Sequence, residues 1–249
     1  MHRDTVRWYG VGKRKLWVIL YAVVLMGTLG VVHWVSAYAS VMAVSEFERG
    51  RVNLIIDPGH GGIDGGASTQ SGILESTINL QIALRLEDLS HLLGFRTIMT
   101  RKEDISIYRG GDTIAQKKAS DLKERVKIAN RTENGILLSI HQNYFPDEQY
   151  SGAQVFYGKG EGSEALAKSI QSALVQNLNI GSKRKCKAGT GIYLMEHTDC
   201  PGVLIECGFL SNENEAKQLQ TKEYQKKLCE TIIATISCYV NGVDPRTIR

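Results

Sequence analysis

Residues Ile55 to Ala67 read Ile-Ile-Asp-Pro-Gly-His-Gly-Gly-Ile-Asp-Gly-Gly-Ala. Upstream, Val52, Leu54, Ile55 and Ile56 form an apolar run of strand type that leads straight into Asp57-Pro58-Gly59. Proline ends ladder pairing, and the glycines allow a tight turn and a close backbone approach. His60 is therefore delivered onto an open loop at the end of a buried strand. An imidazole so placed suits a metal ligand, and a plain tight turn accounts for the loop equally well. A phosphate cradle fits poorly. No Gly-Lys-Ser/Thr follows, and the glycine spacing breaks the dinucleotide pattern at Asp64.

Three further segments bear on this choice. Gly72-Ile-Leu-Glu75-Ser-Thr-Ile-Asn-Leu80 puts Glu75 at the start of an amphipathic helix. Ile136-Leu-Leu-Ser-Ile-His141-Gln-Asn143 is a second apolar strand that reaches a histidine. Two histidines and one carboxylate at the edges of regular elements are the ligand set of a catalytic zinc site, which keeps a fourth position open. Gly202-Val-Leu-Ile-Glu206-Cys-Gly208 is a third apolar strand, ending in a carboxylate that can act as a general base. Asp57 reads as a loop hydrogen bonder rather than a ligand. Asn143, two residues beyond His141 on the strand, can donate to a substrate carbonyl or simply form a turn. Strand alternation sends Cys207 to the face opposite Glu206, so it is not a ligand. His197 lies in a polar loop, Glu196-His-Thr-Asp199, that can line a cleft.

Asp57-Pro-Gly-His-Gly-Gly62, Glu75, Ser139-Ile-His-Gln-Asn143 and Glu206-Cys-Gly-Phe-Leu-Ser-Asn212 together resemble the motifs of zinc-dependent N-acetylmuramoyl-L-alanine amidases of the Amidase_3 type. The resemblance covers about residues 51 to 240. Within the family it looks most like members acting in the spore cortex and in germination. That finer likeness rests on Thr100-Arg-Lys-Glu-Asp104, the basic insert before Asp121-Leu-Lys-Glu-Arg125, Ser151-Gly-Ala-Gln-Val-Phe-Tyr157 and Gly191-Ile-Tyr-Leu-Met195. The resemblance implies Zn2+ held by His60, Glu75 and His141, with Glu206 as the base. It implies a peptidoglycan substrate, cut at the amide joining N-acetylmuramic acid to L-alanine. In spore formers this step leads to muramic-δ-lactam together with a separate peptidoglycan deacetylase. A vegetative-wall autolysin would share the chemistry. A zinc peptidase cutting inside the stem peptide shares the metal logic, but His-Glu-x-x-His is missing. A non-catalytic wall-binding protein on a membrane anchor would need no water-activating set.

The N-terminus differs in kind from the rest. Leu16 to Val35 carries no formal charge and would span roughly 30 Å as a helix, enough for a bilayer core. Arg3, Arg7, Lys13, Arg14 and Lys15 precede it, against Asp4 alone. The positive-inside rule puts the N-terminus in the cytoplasm and the remainder outside. The run exceeds a usual signal-peptide core, which favours a retained anchor, while Ala37-Tyr38-Ala39 fits a cleavage site. The expected organisation is a basic segment over 1–15, an anchor or signal over 16–35, a linker over 36–50, a catalytic domain over 51–241 and a tail over 242–249.

Of 30 Lys+Arg and 26 Asp+Glu, five bases and one acid lie in residues 1–39, so the rest carries 25 of each. The formal charge of +4 therefore belongs to the N-terminus, and nothing global points to nucleic acid. One local run, Lys183-Arg-Lys-Cys-Lys187, stands out. Its ordinary reading is a solvated loop, and its sharper reading a contact to anionic wall or membrane material. Five cysteines, an odd number without a Cys-x-x-Cys, read mainly as small buried hydrophobes, although export permits one bridge.

Strand and helix patterns alternate beyond residue 51, predicting an α/β domain with a central, mostly parallel sheet. Helices are expected over 75–93, around 122–129, over 163–177 with Ser163 as cap, and over 224–240. Strands are expected over 52–57, 95–100, 136–141, 152–157, near 192 and up to 206, with a long loop over 101–116. In such sheets the ligand site lies beyond the carboxyl ends of the strands, where His60, His141 and Glu206 fall.

Overall fold

A computed structural model describes the backbone of residues 8–243 and the side chains of 15–36 and 52–243. The chain divides into two units, the first ending at Phe47. The first is built on one helix, α1 (Trp8–Arg51), which stays helical through the 36–50 stretch read as a linker. Within it Lys15–Ser36 has a mean hydropathy of 2.1 and exposed side chains, long and apolar enough to cross a membrane. The terminal segments 1–7 and 244–249 lie outside the described residues, so part of the basic flank and most of the tail do too.

The second unit is a three-layer α/β domain. Its strands are β1 (Asn53–Pro58), β2 (Arg96–Met99), β3 (Gly135–Asn143), β4 (Gln154–Tyr157), β5 (Lys187–Ala188) and β6 (Gly202–Phe209). Its helices are α2 (Glu75–Leu92), α3 (Ile114–Arg131), α4 (Ser163–Asn177), α5 (Tyr193–His197), α6 (Glu213–Leu219) and α7 (Lys222–Val240). The sheet order is β2-β1-β3-β6-β4-β5. β1, β2, β3 and β6 run parallel, and β4 joins β6 antiparallel. The central strands are buried on both faces, which is why they read as unbroken apolar runs.

One face of the sheet packs Leu54, Ile56, Leu138, Ile140, Val203 and Ile205 against the inner faces of α2, α4 and α7. Ile78, Ile82 and Leu86 of α2 meet Leu228, Ile232 and Ile236 of α7 in this layer. Each such side chain, fully removed from water, contributes about 1.5–3 kcal/mol. The other face, bearing Ile55, Leu137 and Leu204, is covered more thinly by Ala129 of α3 and Leu194 and Met195 of α5. By alternation His141 and Glu206 project on that face, where both are half-buried.

α2 ends as its pattern predicts. Gly94 follows the C-cap residue Leu93 with φ +81°, a conformation that glycine adopts without steric cost. Elsewhere the structure corrects the local reading. Ser163 does not cap α4: the N-cap is Gly162, and the Ser163 hydroxyl accepts from the Gly202 amide at 2.9 Å. No strand forms near Ile192, which is the N-cap of α5; the short strand is β5, at Lys187–Ala188. α3 begins at Ile114 because Thr113 and Gln116 form a capping box. α6, capped by Asn212, is at seven residues too short to give a periodic signal in the sequence. Cys186, Cys200, Cys207 and Cys229 are free thiols, and Cys207 is buried in the core on the face away from Glu206.

Candidate metal and catalytic site

The three parallel strands β1, β3 and β6 are neighbours, so their carboxyl ends lie side by side. His60 follows β1 by two residues, and His141 and Glu206 are register partners across β3 and β6. Paired residues on adjacent strands project from the same face. Glu75 reaches the same place from the first turn of α2. The start of that helix is tied to the glycine loop, because the amides of Glu75 and Ser76 donate to the carbonyls of Ala67 and Gly65.

His60 Nε2 lies 3.3 Å from Glu75 Oε2, and His141 Nδ1 lies 3.0 Å from Glu75 Oε1. The two imidazole centroids are 4.8 Å apart, edge to face. One ligand atom from each of His60, Glu75 and His141 falls within 4.8 Å of the other two, a group able to hold a metal ion. A tetrahedral centre with bonds of about 2.0–2.1 Å separates its ligand atoms by about 3.3 Å, so the donor set and its spacing fit. Burial pushes the Glu75 carboxyl up, but hydrogen bonds from His141 and His60 outweigh it and hold the group well below the usual carboxylate range. The amides of Ala67 and Gln142 also donate to Glu75, at 2.9 and 3.1 Å.

Two glycines shape the cradle. A Cβ on Gly59 would lie 2.1 Å from His141 Nε2, and one on Gly66 would lie 2.5 Å from Glu75 Oε2. His60 itself has φ +60°, a left-handed conformation costing of order 1–3 kcal/mol in a residue other than glycine. The surrounding bonds hold it there. Arg125 donates to the carbonyls of Pro58 and His60 and to Asp57, and Arg101 donates to the carbonyls of Pro58, Gly59 and Ser76. Asp57 is fully engaged as a hydrogen bonder, accepting from Thr100 and Ser139 as well as Arg125.

One partner was missed from sequence. Asp64 Oδ2 lies 2.9 Å from His60 Nδ1, which turns Nε2 toward Glu75, and Lys118 holds the other oxygen of Asp64 at 2.7 Å. Such a carboxylate behind a ligand imidazole sets its tautomer and orientation. Nothing in the spacing announces it, because the loop has no regular period.

Glu206 has a buried Oε2 with no hydrogen-bond partner. Burial is the main cause that lifts its carboxyl, to about 7; His141 pulls the other way and the charge of Glu75 adds to the rise. Asn143 ends β3 and pairs with Phe209, across a ladder irregularity in which one residue of β3, Gln142, faces two of β6, Cys207 and Gly208. His197 is exposed on α5 and stacks on Tyr193 at 3.9 Å.

The model of the family described as N-acetylmuramoyl-L-alanine amidase matches residues 54–238. The germination-specific N-acetylmuramoyl-L-alanine amidase of Bacillus subtilis (strain 168) is 43% identical over 188 residues, covering 75% of this chain and 78% of the relative. The sporulation-specific N-acetylmuramoyl-L-alanine amidase of the same organism is 29% identical over 181 residues, covering 71% and 64%. Among solved structures, the CwlD amidase from Clostridioides difficile, in complex with the GerS lipoprotein, superposes with a TM-score of 0.73 at 39% identity, covering 77% of this chain and 99% of that one.

Proposed function

We propose a division of labour among these residues from one premise: the chain belongs to the N-acetylmuramoyl-L-alanine amidase family. It is an amide hydrolase acting on the bond between N-acetylmuramic acid and L-alanine in peptidoglycan. In our reading His60, Glu75 and His141 hold one zinc ion. Zinc bound there supplies Lewis-acid polarisation of the scissile carbonyl and acidifies water. Glu206 takes a proton from the attacking water and hands it to the leaving nitrogen, so the hydroxyl joins the lactyl carbonyl and the alanine leaves as a free amine. Asp64 holds the His60 ring, and Asn143 donates to the substrate carbonyl.

The observation that carries the base assignment is the unpartnered, buried Oε2 of Glu206 beside His141. Burial lifts this carboxyl and so favours its taking up a proton. A fourth ligand in its place would leave the site without a base.

We further infer a role in spore cortex maturation, forming muramic-δ-lactam with a separate peptidoglycan deacetylase, and in germination. The identity to a germination-specific relative supports this. Residues 16–35 act as the membrane anchor, with the catalytic domain over 51–241 on the outer side. Mass spectrometry of peptidoglycan fragments after incubation with zinc-loaded protein tests the chemistry. Release of intact stem peptides with N-terminal alanine is expected. Cuts inside the stem peptide would overturn the reading in favour of a peptidase.

A further inference from the structure

The basic run Lys183-Arg-Lys-Cys-Lys187 takes no part in the chemistry above. It forms a wall of a groove of about 1070 Å³ whose lining includes Tyr150, Gln154, Lys183, Arg184, Lys185 and Lys187. Four cations line this groove against one carboxylate, Glu215. That carboxylate accepts from the amides of Gly152 and Phe209 at 2.8 Å each and offsets part of the charge of Arg184, leaving an excess of three cations. The groove is therefore positive, although residues 40–249 carry equal numbers of acids and bases.

Register ties the groove to the reaction centre. Gln154 on β4 is the partner of Glu206 on β6, and Glu206 is the partner of His141 on β3. Opposed residues of neighbouring strands have Cβ atoms roughly 4.5–5.5 Å apart on one face. His141, Glu206 and Gln154 thus form a row, with the imidazole on one side of the carboxylate and the groove on the other. A leaving nitrogen protonated by Glu206 lies beside that carboxylate, one strand away from Gln154 and the basic wall.

The wall is built around Arg184. Its Nε donates to the Ser151 carbonyl at 3.0 Å, its Nη1 donates weakly to Gln154 Oε1 at 3.5 Å, and its guanidinium lies 4.9 Å from the Phe209 ring centroid. Tyr150 stacks on the same ring at 6.3 Å and meets Phe145 edge-on at 5.0 Å. A guanidinium held on an aromatic platform is pre-organised to grip a carboxylate with its outer edge. Lys183, Lys185 and Lys187 are exposed beside it and make no ion pair among the described residues.

We propose that this groove binds the stem peptide through its carboxylates, with Arg184 as the fixed anchor and the three lysines as flanking charge. The proposal rests on the amidase reading and assigns which side of the scissile bond is recognised by charge.

Two soluble muramoyl peptides test it with the full-length, zinc-loaded protein: one with free carboxylates, one with those groups converted to primary amides. The amidated substrate should show a KM raised about fivefold or more with kcat within about twofold, the scale of a few partly exposed charge contacts. Lys183→Gln/Lys185→Gln/Lys187→Gln should raise KM for the free acid and narrow the difference between the substrates. Arg184→Gln should do the same, with Arg184→Lys intermediate. Calorimetric binding of the free stem peptide should weaken in step and weaken further with salt. Equal KM values for the two substrates, or variants that keep the parent's discrimination, would overturn the groove assignment. Failure of the parent to cleave either substrate while still binding the peptide would instead count against the amidase reading. Lysine-dependent binding to anionic over neutral phospholipid vesicles, with KM unmoved, would assign the run to a membrane surface and sink the proposal.

Discussion

Gly59→Ala isolates the metal cradle from the fold. A Cβ at this position would lie 2.1 Å from His141 Nε2, 2.3 Å from Cε1 and 2.6 Å from Cδ2. Carbon contacts are comfortable at about 3.5 Å, so the imidazole must retreat by roughly 1.4 Å. A metal centre tolerates ligand displacements of only about 0.2 Å. Retreat is hindered, because the opposite edge of the ring meets Glu75 and its neighbour is the His60 ring. The backbone of Gly59 lies outside the left-handed region, so alanine is conformationally allowed, and the amide bond to the Ile140 carbonyl is untouched. The stability cost in the metal-free protein should stay near the ~1–3 kcal/mol of local overpacking. Metal analysis of purified protein should find the variant nearly empty where the parent holds about one zinc. Thermal unfolding should show no rise on adding zinc, whereas a site saturated at 100 times its Kd gains about 2.7 kcal/mol. Gly110→Ala, with no atom within 4 Å of the new Cβ, is the control. A Gly59→Ala protein that binds one zinc with the parent's affinity would refute the assignment of His141 as a ligand.

Glu206→Gln should lower hydrolysis at least ~10²-fold yet keep its zinc, since it removes only the proton acceptor, while Glu75→Gln should be zinc-poor. Loss of zinc from Glu206→Gln, seen by metal analysis, would contradict its role as base. The pair Asp57–Arg125 should govern acid stability. Burial raises the Asp57 carboxyl, but Arg125, Thr100 and Ser139 outweigh it and hold it below its usual value. Its contribution is complete above the ordinary carboxylate range and fades as pH falls through the lower folded value. Asp57→Asn should cost about 3–5 kcal/mol at pH 7 and flatten the decline between pH 5 and pH 2, read by urea unfolding; an unchanged acid slope would exclude this pair as its source. Protease added to intact protoplasts should digest the catalytic domain if residues 16–35 anchor it outward, and full protection would defeat that topology.

The apolar runs leading to Pro58, His141 and Glu206 were legible because strands buried on both faces must be apolar throughout, so a histidine or carboxylate after such a run stands out; β3 and β6 do not end there but continue to Asn143 and Phe209. Alternation correctly sent Cys207 to the core, and spacings of three and four marked α2 and α7. The strand order was not legible. No local signal says that β1, β3 and β6 are neighbours, yet only that order sets His60, His141 and Glu206 side by side. Ser163 looked like a cap because serine favours that position, but the Gly202 amide, 39 residues away, took its hydroxyl instead. Asp64 behind His60, and the two arginines on the carbonyls of the left-handed loop, depend on where α3 and residue 101 come to rest. The basic run was visible as charge alone. Its relation to Glu206 comes from β4 turning antiparallel and pairing Gln154 with that residue. Local chemistry follows from neighbours in the chain, and so it was open to reading. Which chemistries meet is decided by pairing and packing between distant segments, and only the folded chain specifies that.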